Sequence, residues 1–558
     1  MKDFFRYRKL RITIAALLLI LGTSYFAFAD YYEDLSRQIR LFTELYKELV
    51  VNYVDQVNPE ALVEAGITGM LETLDPYTVY LEEEDQHNIQ SLTEGKYGGV
   101  GIRLGVRQDT LTVIAPIEGS PAMRAGIQAG DKIVQIDTVR TAEMRLSKAA
   151  NYMRGEPGTN VTLTILRPGF EERIPFVLER ASIEVHDLAY ADYIGEDIAY
   201  LRLTSFSKNS DSELRKAFED LTIENSSGLI LDLRGNPGGL LTSALDVVEL
   251  FVEPDVDVLS TKGRTDKSNN TFTTNREAVV PQDLPIAVLV DHGSASASEI
   301  VAGVLQDLDR AIILGKSTFG KGLVQTVVPL TRESAIKITT AKYYIPSGRL
   351  IQKQDYFNED VIAEPTRDDS IFYTRNDRKV YGGGGITPDL TVKSDTMPRA
   401  VRSIAAGNHF FHFSVSYHNN HPDIAPSMEV SDSIYTAFLD YLDQKEFQYR
   451  TGAHKHFERF VSSLDTTELE RPDIAGAVET FESHFASKEH WKDRKSSRDW
   501  ITRILTRELA QVYGGTKARI RADLEHDNTL QTARQVLRDQ SEYRAQLGFA
   551  VASTNGGE

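Results

Sequence analysis

Hydrophobic and polar positions along the chain change period several times. An apolar run from Ile12 to Gly22 carries on toward Ala29 and approaches the ~18–20 residues that can span a bilayer. From Tyr31 to Val57, and again from Leu62 to Leu74, apolar residues recur at helical spacing, which predicts two helices, the second stopped by Asp75-Pro76. Between residues 93 and 180 short alternating runs such as Thr110-Leu-Thr-Val-Ile114 and Gly130-Asp-Lys-Ile-Val-Gln-Ile136 read as strands. One helix is expected among them from Ala142 to Gly155, with Leu146, Ala149 and Met153 on one face. From about 183 to 400 strand-like runs (Ile198–Leu203, Leu229–Leu233, Ile286–Val290) alternate with helical ones (Ser212–Leu221, Leu240–Val252, Ser296–Asp307). That alternation predicts an α/β sheet with crossover connections. Beyond Met397 the chain reads as mostly helical and rich in charge, its apolar stripes (Phe438, Tyr441, Leu442) serving as core, and the tail Ser553 to Glu558 reads as disordered.

Candidate chemistry concentrates in three segments of the alternating region. In Gly293-Ser-Ala-Ser-Ala-Ser-Glu-Ile300, Ser296 is expected to open a helix just after a buried strand. There the free N–H groups and the partial positive charge of the helix start suit an oxyanion forming beside a nucleophilic hydroxyl. A serine hydroxyl needs a base, and a lysine serves when burial brings its pKa from ~10.4 toward ~7–8. Lys321, in Phe319-Gly-Lys-Gly-Leu-Val-Gln325, follows an aromatic residue and has no carboxylate near it in sequence. Gln325 shares a strand face with it, so its amide is placed to orient the amine. Upstream, Leu229-Ile-Leu-Asp-Leu-Arg-Gly-Asn-Pro-Gly-Gly-Leu240 is a strand followed by a glycine-rich turn that leaves backbone N–H groups available. Ser294 reads as a turn residue and Ser298 as a helix hydroxyl bonding local backbone. His292, four residues before Ser296, belongs on the surface of the turn, so a serine-histidine-aspartate arrangement is disfavoured. His409, His412, His418 and His421 form a loose cluster without the frame of a metal site.

Together the three segments resemble the signature of the carboxyl-terminal processing proteases, or tail-specific proteases. The resemblance implies Ser296 as nucleophile, Lys321 as general base, Gln325 as the residue orienting the lysine, and the N–H groups of Gly239 and Ala297 as the oxyanion hole. Leu74-Asp-Pro-Tyr-Thr-Val-Tyr-Leu81, Tyr343-Tyr-Ile-Pro-Ser-Gly-Arg-Leu-Ile-Gln352 and Gly382-Gly-Gly-Gly-Ile-Thr-Pro-Asp389 also match the family, without a catalytic role. The unit beginning Tyr97-Gly-Gly-Val-Gly-Ile-Arg-Leu104 resembles a PDZ domain, whose glycine-rich loop receives a peptide's terminal carboxylate. By that resemblance Gly99, Val100, Gly101 and Ile102 form the carboxylate loop, Ile102 and Leu104 line the groove, and Leu146 and Met153 belong to its opposite wall. The implied architecture is an α/β, multidomain chain with a crotonase- and ClpP-like core. Its expected divisions are 1–29 signal peptide or anchor, 30–92 N-terminal helical region, 93–180 PDZ domain, 181–398 protease core and 399–558 helical region of unknown role.

Composition narrows the setting. A formal net charge of −19 argues against nucleic acid or an anionic membrane surface as main partner. The absence of cysteine excludes thiol catalysis, disulfides and cysteine-ligated metals. A basic start, an apolar run and Ala27-Phe-Ala29 form an export signal, placing the remainder in the periplasm or on the outer face of the cytoplasmic membrane. Cleavage after Ala29 and retention of residues 12–29 as an anchor are both open, as is assembly into a homo-oligomer. The expected activity is a serine endopeptidase acting on proteins through free, apolar carboxyl termini, without a cofactor. The alternative is a silent PDZ scaffold that binds tails and does not cut them.

Overall fold

The computed structural model describes residues 32–549, leaving aside residues 83–84, 86–88, 90–92, 196, 354–370, 394, 423–428, 448, 450–451 and 488–494. The export signal and the tail from Ser553 lie outside the described residues. Two compact units emerge, one running through Leu81 with Val327–Ile338, the other holding Glu82–Thr326 and Thr339–Glu558.

In the first unit, residues 32–52 form one helix, ending five residues short of the expected Val57, and Pro59–Glu72 forms the second. Asn58 caps that second helix through a side-chain oxygen that accepts the Glu60 N–H, with Pro59 opening its first turn. Gly66 lets Phe42 approach to 3.3 Å of where a β-carbon would stand. The stop at Asp75-Pro76 is a turn in which the Asp75 carboxylate accepts the N–H groups of Tyr77 and Thr78. Among the described residues no helix is long and apolar enough to cross a membrane.

The second unit contains the small domain read between 93 and 180. Its sheet runs Ile102–Arg107, Thr110–Pro116, Lys132–Ile136, Asn160–Leu166 and Arg173–Glu179, all pairs antiparallel. Every second residue of Asn160–Leu166 is buried, and Val161, Leu163 and Ile165 meet Val113, Ile133, Ile136 and Ala149 in one core. The helix spans Leu146–Met153, later in its start than the expected Ala142, because residues up to Arg145 are spent in a turn.

The larger sheet carries the catalytic candidates. Leu188–Ile194 pairs antiparallel with Ile198–Leu203, and Gly228–Asp232, Ile286–Val290, Ile312–Gly315 and Leu390–Thr391 follow in parallel. Alternate residues face opposite layers. Leu201, Leu231 and Val288 pack with Leu214, Val247 and Val304 of the crossover helices Ser210–Asp220, Leu241–Val248 and Ala297–Asp307. Tyr200, Ile230 and Leu289 face the other way and pack with Ile520, Leu530, Val536 and Leu547 from the end of the chain. A parallel sheet needs cover on both faces, and the crossovers here cover only one. The helices Asn528–Arg538 and Gln540–Gln546 supply the other, so this part of the carboxyl-terminal region is core.

The rest of that region is a bundle of its own. Arg399–Ala406, His409–Asn420, Asp432–Gln444 and the helix Lys495–Leu524, broken at Gly515, enclose Val401, Phe410, Phe438, Leu442 and Ile501. The small domain rests on it. A β-carbon on Gly130 would fall 2.5 Å from Val415 Cγ1, and the Arg107 guanidinium lies 5.8 Å from the centre of the Phe411 ring.

Candidate active site

The strand Ile286–Val290 ends at Asp291, whose carboxylate accepts the N–H groups of Gly235 (2.8 Å) and Gly293 (2.9 Å) and so reverses the chain. Ser294 is buried, and its hydroxyl donates to the Leu233 carbonyl at 2.8 Å. The Ala295 N–H and the Ser298 hydroxyl both donate to the Asn236 carbonyl, at 3.0 and 2.9 Å. Ser298, expected to bond local backbone, instead fastens its helix to the loop 62 residues upstream. His292 stands exposed at the tip of the turn.

Ser296 is half-buried at the junction with the helix Ala297–Asp307 and adopts φ 54°, ψ −111°. That backbone is sparsely populated for a residue with a side chain and costs about 1–3 kcal/mol, so the surroundings must hold it. They do: its N–H donates to Glu299 Oε2 at 2.8 Å, and its carbonyl accepts the N–H groups of Glu299 and Ile300. Beside the turn, a β-carbon on Gly238 would stand 2.6 Å from the Ala295 carbonyl, and one on Gly239 would stand 2.1 Å from the Phe206 carbonyl. Glycine is required at both positions. Among the described residues no hydrogen bond takes up the N–H of Gly239 or of Ala297, which leaves two donors at this turn.

Glu299 joins the turn to the lysine loop. Fully buried, its Oε1 accepts the Thr318 hydroxyl (2.5 Å) and the Gly320 N–H (2.7 Å), while Oε2 accepts the N–H groups of Ser296 (2.8 Å) and Lys321 (2.9 Å). Burial pushes its pKa above the usual carboxylate range, against these four donors, which favour the ionised form. The Phe319 N–H donates to the Ser294 carbonyl at 3.0 Å, a second tie between the same two segments. Tyr343 adds a third, its hydroxyl lying 2.6 Å from the Lys321 carbonyl oxygen and 3.2 Å from that of Ser296.

Lys321 is half-buried, the Phe319 before it is 49% exposed, and Glu299 meets the lysine at its backbone N–H. Gln325 lies on the strand Leu323–Pro329, and its amide nitrogen donates to Thr339 Oγ1 at 3.3 Å on the strand Ser334–Tyr344.

In the small domain Gly99 ends the strand Lys96–Gly99, opposite Ala181, and Val100 and Gly101 (φ 74°) lead into Ile102–Arg107. The Val100 carbonyl accepts the Ala122 N–H, and the Gly101 carbonyl accepts the Ile117 N–H and the Ser120 hydroxyl, which fixes the loop. Ile102 and Leu104 are partly buried against the domain core and Leu146 is 40% exposed, whereas Met153 is a core residue at 5% exposure. Among the described residues no group of three or more metal-ligating side chains converges, the histidine cluster included.

Residues 197–362 match the family described as Peptidase family S41, and residues 112–167 match a PDZ domain. The Carboxy-terminal-processing protease of Bartonella bacilliformis is 38% identical over 334 residues, covering 59% of this chain and 76% of that protein. The chain belongs to the carboxy-terminal processing proteases. The Carboxyl-terminal-processing protease of Synechocystis sp. is 40% identical over 306 residues, covering 54% of this chain and 71% of that one. Among solved structures, the photosystem II D1 C-terminal processing protease is 25% identical, with a TM-score of 0.34, covering 64% of this chain and 93% of its own. Residues 29–85 match the Activating protease CtpB N-terminal domain, and residues 400–537 the Probable PDZ-protease, C-terminal helical domain. As a carboxy-terminal processing protease the protein is a serine-type peptidase. Glu299 and Tyr343 both lie inside the sequence motifs, yet the motifs alone give neither a task. The signal for Glu299 was an acidic residue in the first turn of a helix otherwise fit for burial.

Proposed function

We propose that this protease cuts proteins through a Ser296–Lys321 dyad and selects them by free, apolar carboxyl-terminal tails. The observation that carries the reading is the shared carboxylate: one oxygen of Glu299 takes the N–H of both Ser296 and Lys321, and so joins the two segments that bear the proposed nucleophile and base. In the reaction the Lys321 amine accepts the Ser296 hydroxyl proton as Oγ attacks the substrate carbonyl. The oxyanion rests on the Gly239 and Ala297 N–H groups. Lys321 returns the proton to the leaving amine, and water, deprotonated in turn by the lysine, hydrolyses the acyl-enzyme. Gln325, whose amide nitrogen donates to Thr339 Oγ1, would orient the lysine amine through its amide oxygen. No step requires a metal or organic cofactor.

Tail selection falls to the PDZ domain. The loop Gly99–Ile102 would receive the terminal carboxylate, and Ile102, Leu104 and Leu146 would form apolar walls, with Met153 supporting them from the core. The basic start, the apolar run and Ala27–Ala29 support export to the cell envelope, with residues 12–29 either removed or kept as an anchor.

The test is cleavage of an unfolded reporter ending in apolar residues with a free carboxylate, by the chain from Asp30 onward and by its Ser296→Ala and Lys321→Ala forms. Loss of cleavage in both variants, with the reporter still bound, is the expected result. Cleavage by Ser296→Ala would dismiss the nucleophile, and binding without cleavage by the unmodified chain would return the scaffold reading.

A further inference from the structure

We infer that Tyr343 is a positioning residue that sets the spacing between Ser296 and Lys321; the inference rests on the dyad reading above. The two residues are held twice. Their N–H groups meet on Glu299 Oε2, and their carbonyl oxygens meet on the Tyr343 hydroxyl. Each peptide segment is therefore pinned on both sides of its α-carbon, and a side chain projects from a backbone that cannot pivot.

The division of labour follows from the distances. A phenol has one proton, so the 2.6 Å contact to the Lys321 carbonyl is the principal bond and the 3.2 Å contact to Ser296 takes a lesser share. The Ser296 carbonyl, besides, already accepts two helix N–H groups. The lysine loop thus depends on the hydroxyl more than the serine turn does. That loop carries Gly320 at φ 90° and Gly322 immediately beyond the lysine, a stretch with little stiffness of its own.

Tyr343 suits a fixed anchor. It is 1% exposed within the main core, its backbone N–H donates to the Gly322 carbonyl at 3.0 Å, and its strand pairs with Asp257–Gly263 through Thr261. Burial, with Glu299 nearby, pushes its pKa well above the ordinary value, so the hydroxyl stays a donor across the working range.

Tyr343→Phe keeps the ring in its socket and removes only the oxygen. Steady-state cleavage of the apolar-tailed reporter should show kcat lowered by about 10- to 100-fold with KM within about twofold, the pattern of a misplaced reacting group with substrate binding intact. The acid limb of the pH–rate profile should move to higher pH, because an amine released from its fixed position is better solvated and holds its proton more firmly. Labelling of Ser296 by a fluorophosphonate should slow in parallel, and para-aminophenylalanine at position 343, which restores a donor, should recover both rate and profile. Wild-type kcat and profile in Tyr343→Phe would overturn the assignment. So would an unfolded variant, or a loss of rate that only tracks the folded fraction, since the hydroxyl would then serve stability. Lys321→Met separates this from the dyad: if that variant labels at the wild-type rate the base is wrong, and if it is dead while Tyr343→Phe is normal, only the inference about Tyr343 fails.

Discussion

At Gly239 a single hydrogen atom decides whether the proposed oxyanion site exists, since a β-carbon there would overlap the Phe206 carbonyl at 2.1 Å. Gly239→Ala should fold but displace one donor, lowering kcat by roughly 10²–10³-fold with little change in tail affinity, measurable by steady-state kinetics beside a peptide-binding assay. Glu299→Gln offers a second test. The amide turns an N–H₂ toward donors that need an acceptor, at about 1–3 kcal/mol for each buried donor left unpaired, so both melting temperature and activity should fall. Its pH dependence has a definite sign. Because the folded pKa of Glu299 is raised, this group's contribution to stability is complete below about 4.5 and is lost as pH rises through the folded value. The stability gap between wild type and Glu299→Gln should therefore narrow from acid toward neutral pH in urea titrations. Ser296 and Lys321 stand out as candidates in the sequence because each lies in a short contiguous motif, Ser296 among small residues and Lys321 between two glycines. The task of Tyr343 was not, since its partners lie 47 and 22 residues away and nothing in a local window announces them.

Elements were legible where period and length agreed. Ile198–Leu203 and Ile286–Val290 have the bounds their apolar runs announced, because a strand buried on both faces is apolar almost throughout, Arg202 being the one charged and partly exposed position. Leu240–Val252 was read too long: the helix stops at Val248, yet Phe251 and Val252 remain buried, so hydrophobicity outlasts the helix that began it. In the PDZ domain, Gly101 sits at φ 74° with the place of a β-carbon 2.2 Å from Ser120 Cβ. Gly101→Ala should shift the loop and weaken binding of a free-carboxylate peptide by about tenfold or more, with the same peptide amidated at its end as the control, while cleavage of a tail-less small ester stays unchanged.

For the molecule as a whole, the seam between the PDZ domain and the helical bundle is rich in cations. His412 faces Lys132 and Arg107 from the PDZ domain and His409 and Lys445 from the bundle, and burial first, then these charges, lower its pKa. A histidine lowered in this way contributes stability above about 6.5 that is lost as pH falls through its folded value, so mild acid should loosen the seam. Hydrogen exchange at pH 5 against pH 8 should show the PDZ domain opening in the wild type and less so in His412→Gln. The carboxyl-terminal region resisted sequence reading because its apolar stripes look alike whether they cover a sheet or one another, and only the fold assigns Leu530, Val536 and Leu547 to the back of the catalytic sheet. A chain stopped after Asp527 should be insoluble, as judged by its soluble fraction, since Tyr200, Ile230 and Leu289 would face water. Among those late residues, Tyr543 accepts the N–H of Ile286 at 2.8 Å, a contact across 257 positions. On a ribosome adding roughly 5–20 residues per second, on the order of 10–50 s separate the emergence of those two partners. The strand that leads to Ser296 thus waits, exposed on one face, for a cover that the ribosome delivers long after the strand itself.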